Sequence, residues 1–370
     1  MKNIGIYIHI PFCTGKCPYC DFFSINYSHS EINKYTDMIV QRIQYYSGIY
    51  NCKADTLYIG GGTPSLCGTD NLIKIISAAK KYFLTDDYEA TVEVNPTSSP
   101  LLDFKQLRKS GYNRISIGLQ SANENELKTL GRRHNCKDAA DTLKMAKSGG
   151  FDNISMDVML AVPHQTHESL KRTIDFCAES SASHISAYIL KIEDNTPFAA
   201  MADTLPFFDD DAQADFYSSA CEYLKAYDYE QYEISNFCKN GKKGKHNLKY
   251  WNCDEYLGIG ASAHSFINSK RFYTPRSIQD FYSEKTIDDG AGGSFEEYIM
   301  LRLRLTEGLL FSSFSERYGR SFPVKKCENT LNKLKNADLI VFDDSHIALS
   351  DKGFLVSNHI ISDILYDISE

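Results

Sequence analysis

The residues most able to do chemistry in this chain are Cys13, Cys17 and Cys20, which form a C-x3-C-x2-C loop in the stretch PFCTGKCPYCDFF. Three thiolates at that spacing can converge on one face of a cubane, as iron–sulfur ligation requires, and leave one iron free of protein for a small molecule to chelate. Structural zinc is the competing reading: it needs four closed ligands, and His9 just upstream can complete a Cys3His set. A second signal is Gly60-Gly61-Gly62-Thr63-Pro64. A triple glycine lets backbone approach a ligand closely and turn its N–H and C=O groups toward it. Alone it is an ordinary turn, but next to the cysteine loop it points to a ligand pocket. The other eight cysteines, Cys52, Cys67, Cys136, Cys177, Cys221, Cys238, Cys253 and Cys327, show no second ligand spacing and read as small buried filler.

Such residues need elements to hold them. Up to about residue 190, short β-branched runs alternate with stretches of helical period, the signature of βα units and a parallel sheet. The strands expected are Gly5 to Ile10, Asp55 to Ile59, Glu89 to Val94, Arg114 to Leu119, Asn153 to Val158 and His184 to Leu190. Between the first strands, Ile32, Tyr35, Ile39, Ile43 and Tyr46 recur at spacings of three and four, and so do Leu72, Ile75, Ile76, Ala79 and Phe83. These are core faces of helices. Six βα units leave an open (β/α)6 partial barrel or a doubly wound sheet, and both put chemistry at the carboxyl ends of the strands. Beyond residue 200, Ala212 to Tyr227 reads as a helix and the lysines from 239 to 245 as an exposed loop. Near Phe295 a small, mainly helical module begins: helices from Glu296 to Leu305 and Val324 to Leu334, a hairpin over Leu339 to Ser350, and a helix from Asp351 to Leu365. That order resembles a winged helix. The boundaries expected are 1–235 for the barrel with its extension, 236–290 for a connecting segment, and 291–370 for the C-terminal module.

Composition narrows the function classes. Forty Lys+Arg against 48 Asp+Glu give a net charge of −8 over 370 residues, with no pooled basic tract, so a nucleic-acid partner is not expected. No run of about 18 apolar residues occurs and the first residues lack a signal-peptide core. A reduced, cytoplasmic setting is expected, where clustered cysteines hold metal more often than they pair. An anionic membrane would repel the chain, so membrane contact would be indirect.

With these residues in view, the chain resembles the radical S-adenosylmethionine (SAM) superfamily, and IYIHIPFC, KCPYCDF, GGGTP, VEVNP, GLQS, LGRRH, ISMD and PHQT run in the order of its coproporphyrinogen dehydrogenase (HemN) branch. The resemblance covers nearly the whole chain, the C-terminal module included. It implies a [4Fe-4S] cluster on Cys13, Cys17 and Cys20, whose free iron binds SAM and cleaves it reductively. It also implies SAM contacts from Tyr7, Tyr19, Gly61, Gly62, Thr63, Glu93, Gln120, Arg132 and Asp157. Glu93, Gln120 and Asp157 stand at or near the ends of three expected strands and so face one mouth. Either arginine of LGRRH could pair a carboxylate bidentately, and the spacing favours Arg132 over Arg133, which reads equally well as an exposed helix-end cation. His134 and His164 read as loop histidines.

One position divides the branch. Members that oxidise coproporphyrinogen carry a fourth cysteine two residues after the third, where this chain has Phe22. The chain instead resembles the heme chaperone subgroup, whose HNxxYW motif stands as His246-Asn247-Leu248-Lys249-Tyr250-Trp251. His246 is a candidate axial ligand and Tyr250 and Trp251 candidate flat surfaces for a porphyrin. The plain alternative is a folded segment with the chain's only Trp as an anchor. The resemblance thus implies heme as cargo and recipient hemoproteins, respiratory ones included, as partners. A homodimer stays open. A SAM-dependent oxidative decarboxylase of coproporphyrinogen III is the alternative function.

Overall fold

The computed structural model describes residues 3–369. Six strands, β1 (Ile4–Ile10), β2 (Ala54–Gly61), β3 (Leu84–Val94), β4 (Arg114–Gln120), β5 (Ile154–Leu160) and β6 (His184–Ile189), run parallel in sequence order. Helices α1 (His29–Ile49), α2 (Gly68–Tyr82), α3 (Phe104–Ser110), α4 (Glu124–Thr129), α5 (Cys136–Ser148) and α6 (His167–Glu179) join them. All but α2 begin at a side-chain cap that the sequence supplies. In α1, Ser28 accepts from the Glu31 amide while the Glu31 carboxylate accepts from the Ser28 amide, a capping box that satisfies two otherwise orphaned donors. The face carrying Ile32, Tyr35, Ile39, Ile43 and Tyr46 is buried against the sheet, as its spacing requires.

The strands alternate with period two, and the alternation is chemical. One face of β1 to β6 carries Ile6, Ile8, Leu57, Ile59, Val92, Ile115, Ile117, Met156 and Ile185, all buried in the layer shared with the helices. The other carries Tyr7, His9, Thr56, Tyr58, Glu93, Arg114, Ser116, Asp157, Ser186 and Tyr188. That inner face is polar and hydrogen-bonded across strands, through Tyr58 to Glu93 at 2.7 Å, Ser116 to Asp157 at 3.1 Å and Tyr188 to Gln120 at 2.7 Å. An interior of this kind is a site rather than a core.

After α7 (Pro197–Ala200) and α8 (Asp210–Ala226), the hairpin β7 (Glu230–Glu233) and β8 (Asn236–Cys238) extends the sheet beyond β6. Helix α9 (Lys245–Trp251) follows, then β9 (Tyr256–Ile259), β10 (His264–Ile267), β11 (Lys270–Tyr273), α10 (Ile278–Tyr282) and β12 (Ile287–Ala291). Segment 236–290 is therefore more than a connection. It lengthens both sides of one twelve-stranded sheet, with β9 parallel to β1 and β10 to β12 antiparallel beyond it. The barrel is open.

The C-terminal module comprises α11 (Phe295–Arg302), β13 (Leu309–Leu310), α12 (Phe311–Tyr318), α13 (Val324–Asn336), β14 (Ile340–Phe342), β15 (His346–Leu349), α14 (Asp351–Leu355) and α15 (Ser357–Ser369). The single helix expected over Asp351 to Leu365 is two, broken at Val356. The apolar residues of the module join the core of β5, β6 and α8 in one continuous cluster. Among the described residues no helix is long and apolar enough to cross a membrane.

Candidate functional site

The carboxyl ends of the strands open into a cavity of about 670 Å³, within the range of small-molecule sites. The loop after β1 forms one wall and presents Cys13, Cys17 and Cys20 to it. That loop is tied down at several points. Cys13 N–H donates to Ile25 O, Ile25 N–H donates to Pro11 O, and Phe198 N–H reaches Pro18 O at 3.0 Å. Asp21 accepts two bonds from Arg276, at 2.8 and 3.3 Å, which fastens the loop to the segment after β11.

The thiols have donors aimed at them. Thr63 Oγ1 lies 3.5 Å from Cys13 Sγ and Arg132 Nη1 lies 3.9 Å from Cys17 Sγ. Among the described residues no three His, Cys, Asp or Glu side chains gather closely enough for one metal ion. His9 does not complete a zinc set. Its Nε2–H donates to Phe23 O at 2.9 Å, so Nδ1 is the bare nitrogen and accepts from Tyr7 Oη at 3.0 Å; burial holds the ring neutral, its pKa lowered to about 4. A thiolate triad spread around one cavity suits a cluster, whose ligands sit on separate irons, better than a closed tetrahedral ion.

The glycine run works through contact. A Cβ on Gly61 would fall 2.7 Å from the His9 ring, and φ there is +110°. A Cβ on Gly62 would fall 2.7 Å from Phe12 O. The Gly62 amide already donates to Ile10 O at 2.8 Å, so the run brings backbone against the cysteine loop and leaves Gly61, Gly62 and Thr63 on the cavity wall. Facing them are Glu93, Gln120, Asp157 and Tyr19. Burial pushes the Glu93 carboxyl up to about 7, against hydrogen bonds from Tyr58 and the Gly61 amide that favour its charged form; burial likewise raises Asp157 to about 6. Gln120 sits at φ +69°, in the left-handed region, with its side-chain oxygen held by Tyr188. Arg132 donates to Gly118 O at 3.0 Å, and its Nε is buried without a partner. One cationic fork beside three cysteine side chains, two carboxyls of raised pKa and a close backbone fit a zwitterionic ligand such as SAM together with a cluster.

Not every expected contact reaches the cavity. Tyr7 does not line it: its ring stacks on Tyr58 at 6.3 Å, and Tyr58 supplies the wall. The HNxxYW segment lies elsewhere. Lys245–Trp251 is α9, set at the amino ends of β1 to β3, where Glu89 caps it by accepting from the amides of Lys245 and His246 at 3.2 and 3.1 Å. His246 is 1% exposed and both ring nitrogens are engaged, Nδ1 with Thr56 Oγ1 at 2.8 Å and Nε2 with Tyr250 Oη at 2.9 Å. Its ring stacks on Tyr58 at 5.3 Å, and burial lowers its pKa to about 3. The structure therefore does not bring His246, Tyr250 and Trp251 to the cavity: the motif folds α9 into the base of the barrel, where both ring nitrogens of His246 already have partners and Tyr250 and Trp251 are half-buried.

Sequence reading missed Tyr58, Ser186 and Tyr188, all on the cavity wall. Their inward phase, shared with Thr56 on β2 and His184 on β6, was the signal. His134, read as a loop histidine, is buried, its Nε2 on Leu119 O at 3.0 Å, and anchors the turn that carries Arg132.

With this geometry in hand, comparison with known proteins is specific. Residues 7–177 match the Radical SAM superfamily model and residues 295–356 the HemN C-terminal domain. The chain is 33% identical to a heme chaperone HemW from Lactococcus lactis subsp. lactis, over 99% of this chain and 98% of that one. It is 32% identical to the heme chaperone HemW from Bacillus subtilis, over 98% and 99%. Among solved structures, coproporphyrinogen III oxidase (HemN) from Escherichia coli superimposes with a TM-score of 0.82 at 21% identity, over 99% of this chain and 90% of that one, a likeness of fold.

Proposed function

Because the chain belongs to the HemW family within the radical SAM superfamily, we propose that it binds heme and hands it to hemoproteins, respiratory ones included, while carrying a [4Fe-4S] cluster and SAM. The observation that supports this most is the convergence of Cys13, Cys17, Cys20, Arg132 and Glu93 on one cavity. Cys13, Cys17 and Cys20 would hold the cluster. Tyr19, Gly61, Gly62, Thr63, Glu93, Gln120, Arg132 and Asp157 would hold SAM, with Tyr7 acting indirectly by positioning Tyr58 and His9. Bound there, the cluster and SAM supply one-electron chemistry.

The residues themselves bind and orient. Arg132 places a fixed cation between Cys17 and Gly118, where it offsets thiolate charge and can take a ligand carboxylate. Burial brings Glu93 to about 7 and Asp157 to about 6 in the ligand-free cavity, and an ammonium arriving beside them favours the charged carboxylates. Apolar strand faces and helices seal the wall behind the site.

Oxidative decarboxylation of coproporphyrinogen III is the second reading, favoured by the likeness of fold to the oxidase. Phe22 in place of a fourth loop cysteine argues against it. The deciding experiment uses anaerobically reconstituted protein, assayed for iron, for heme binding by absorbance titration, and for turnover of coproporphyrinogen III under reducing conditions. Iron and heme binding without turnover are the expected results. Protoporphyrinogen IX formation would overturn the chaperone reading, and stoichiometric zinc without iron would overturn the cluster.

A further inference from the structure

The CDFF turn splits its two phenylalanines. Phe23 packs inward, its ring 6.5 Å from that of His9 and its carbonyl holding His9 Nε2. Phe22 turns outward: it lines the cavity mouth, is 64% exposed, and joins none of the apolar clusters. A single exposed ring needs no explanation, but this one stands among cations. Four basic side chains line the cavity besides Arg132: Lys16, Arg133, Lys191 and Arg276. Arg276 is spent on Asp21 and Lys191 on Glu193 at 2.8 Å. Lys16 and Arg133 are exposed and, among the described residues, neither forms an ion pair. The Arg133 guanidinium rests on Gly15, the residue before Lys16, where a Cβ would lie 2.4 Å from Nη2.

We propose that Phe22, Lys16 and Arg133 form a docking face at the cavity mouth for a flat metalloporphyrin bearing two propionates, the ring of Phe22 against the macrocycle and the two free cations taking the carboxylates. The assignment rests on the heme-binding reading above and gives that reading a place, distinct from α9. Charge complementarity selects this occupant. Two unpaired cations beside one exposed apolar surface match a planar dianion, whereas an apolar protein segment would leave both charges unanswered. Phe22, Lys16 and Arg133 are exposed, whereas Glu93 and Asp157 on the same cavity are half-buried.

The test titrates heme and heme dimethyl ester, whose propionates are blocked, into reconstituted wild type, Phe22→Ala and the double variant Lys16→Gln/Arg133→Gln, with iron content and circular dichroism confirming an intact loop. In the wild type the ester is expected to bind about tenfold more weakly than heme. The double variant should lose that preference, and Phe22→Ala should weaken both ligands by about tenfold or more. If wild type binds no heme, the heme-binding reading fails. If wild type binds heme but treats acid and ester alike, or if all three proteins bind heme equally, the docking face is wrong while the heme-binding reading stands. The acid–ester comparison needs no mutation, so it decides even if a variant loses its cluster.

Discussion

At the scale of single residues, the strongest consequence of the fold is the state of Glu93. Its carboxyl is raised by burial from about 4.5 to about 7, so the folded, ligand-free protein holds this proton more tightly than the unfolded chain does. Stability therefore includes a favourable contribution at low pH that is lost as pH climbs from the ordinary carboxyl range through about 7, worth at most about 3 kcal/mol. Glu93→Gln keeps an acceptor for Tyr58 and removes the titration. Thermal melts of the ligand-free proteins should show the variant gaining on wild type between pH 5 and pH 8; a difference that stays constant over that range would show that Glu93 does not ionise on this span. Thr63 and Arg132 extend the argument to the thiols. Arg132→Gln should retain iron yet shift the cluster to a more negative reduction potential, since a cation and a hydrogen bond near sulfur favour the reduced, more negative state. Redox titration of the reconstituted variant checks it, and an unchanged potential would place Arg132 outside the electrostatics of the cluster.

At the scale of elements, the cysteine loop depends on what lies under it. A small cluster of Leu130, Met159, Val162, Leu190 and Phe198, with Tyr19 packed against it, supports the loop from the side of α7. Phe198 is 1% exposed and its amide holds Pro18 O. Phe198→Ala should cost about 3–5 kcal/mol, the usual range for a buried aromatic, and should also loosen cluster retention; denaturant unfolding and iron release on gel filtration measure the two. Elements of this kind explain what sequence could reveal. Cys13, Cys17, Cys20 and the glycine run are local spacings, and β1 to β6 are local alternations, so both were legible. The start of β3 was not, because Asp86 and Asp87 look like loop yet belong to an exposed stretch of the strand, while its end at Val94 was read correctly. The burial of His246 was not legible either. It depends on Thr56 and Glu89, more than 150 residues away, and a HNxxYW string carries no record of which end of a barrel its helix will meet.

At the scale of the whole molecule, the question is whether barrel and C-terminal module fold as one. Backbone joins them: Ile234 N–H donates to Arg304 O at 3.0 Å and Thr306 N–H to Tyr232 O at 3.2 Å, which seats the module on β7. Side chains join them again around α9. Arg317 of α12 donates to the carbonyls of Asn252 and Cys253, and Arg302 of α11 to the side-chain oxygen of Asn252. The buried apolar cluster is continuous from β5 and β6 through α8 into α13 and α15. Helix α9 thus has one flank on β1 and β2 and the other on α11, and it carries Trp251, the only tryptophan in the chain. Its fluorescence reports on the junction, while far-ultraviolet circular dichroism reports on all the helices. If the module shares the barrel's core, the two signals should melt at the same temperature in the ligand-free protein. Arg317→Ala removes charge-assisted bonds to two carbonyls at the end of α9, each worth about 1.5–3 kcal/mol. It should lower both midpoints together. A junction signal that melts first, leaving the helical signal in place, would show instead that the module is a separately folding appendage and that α9 is held to the barrel by β1 and β2 alone.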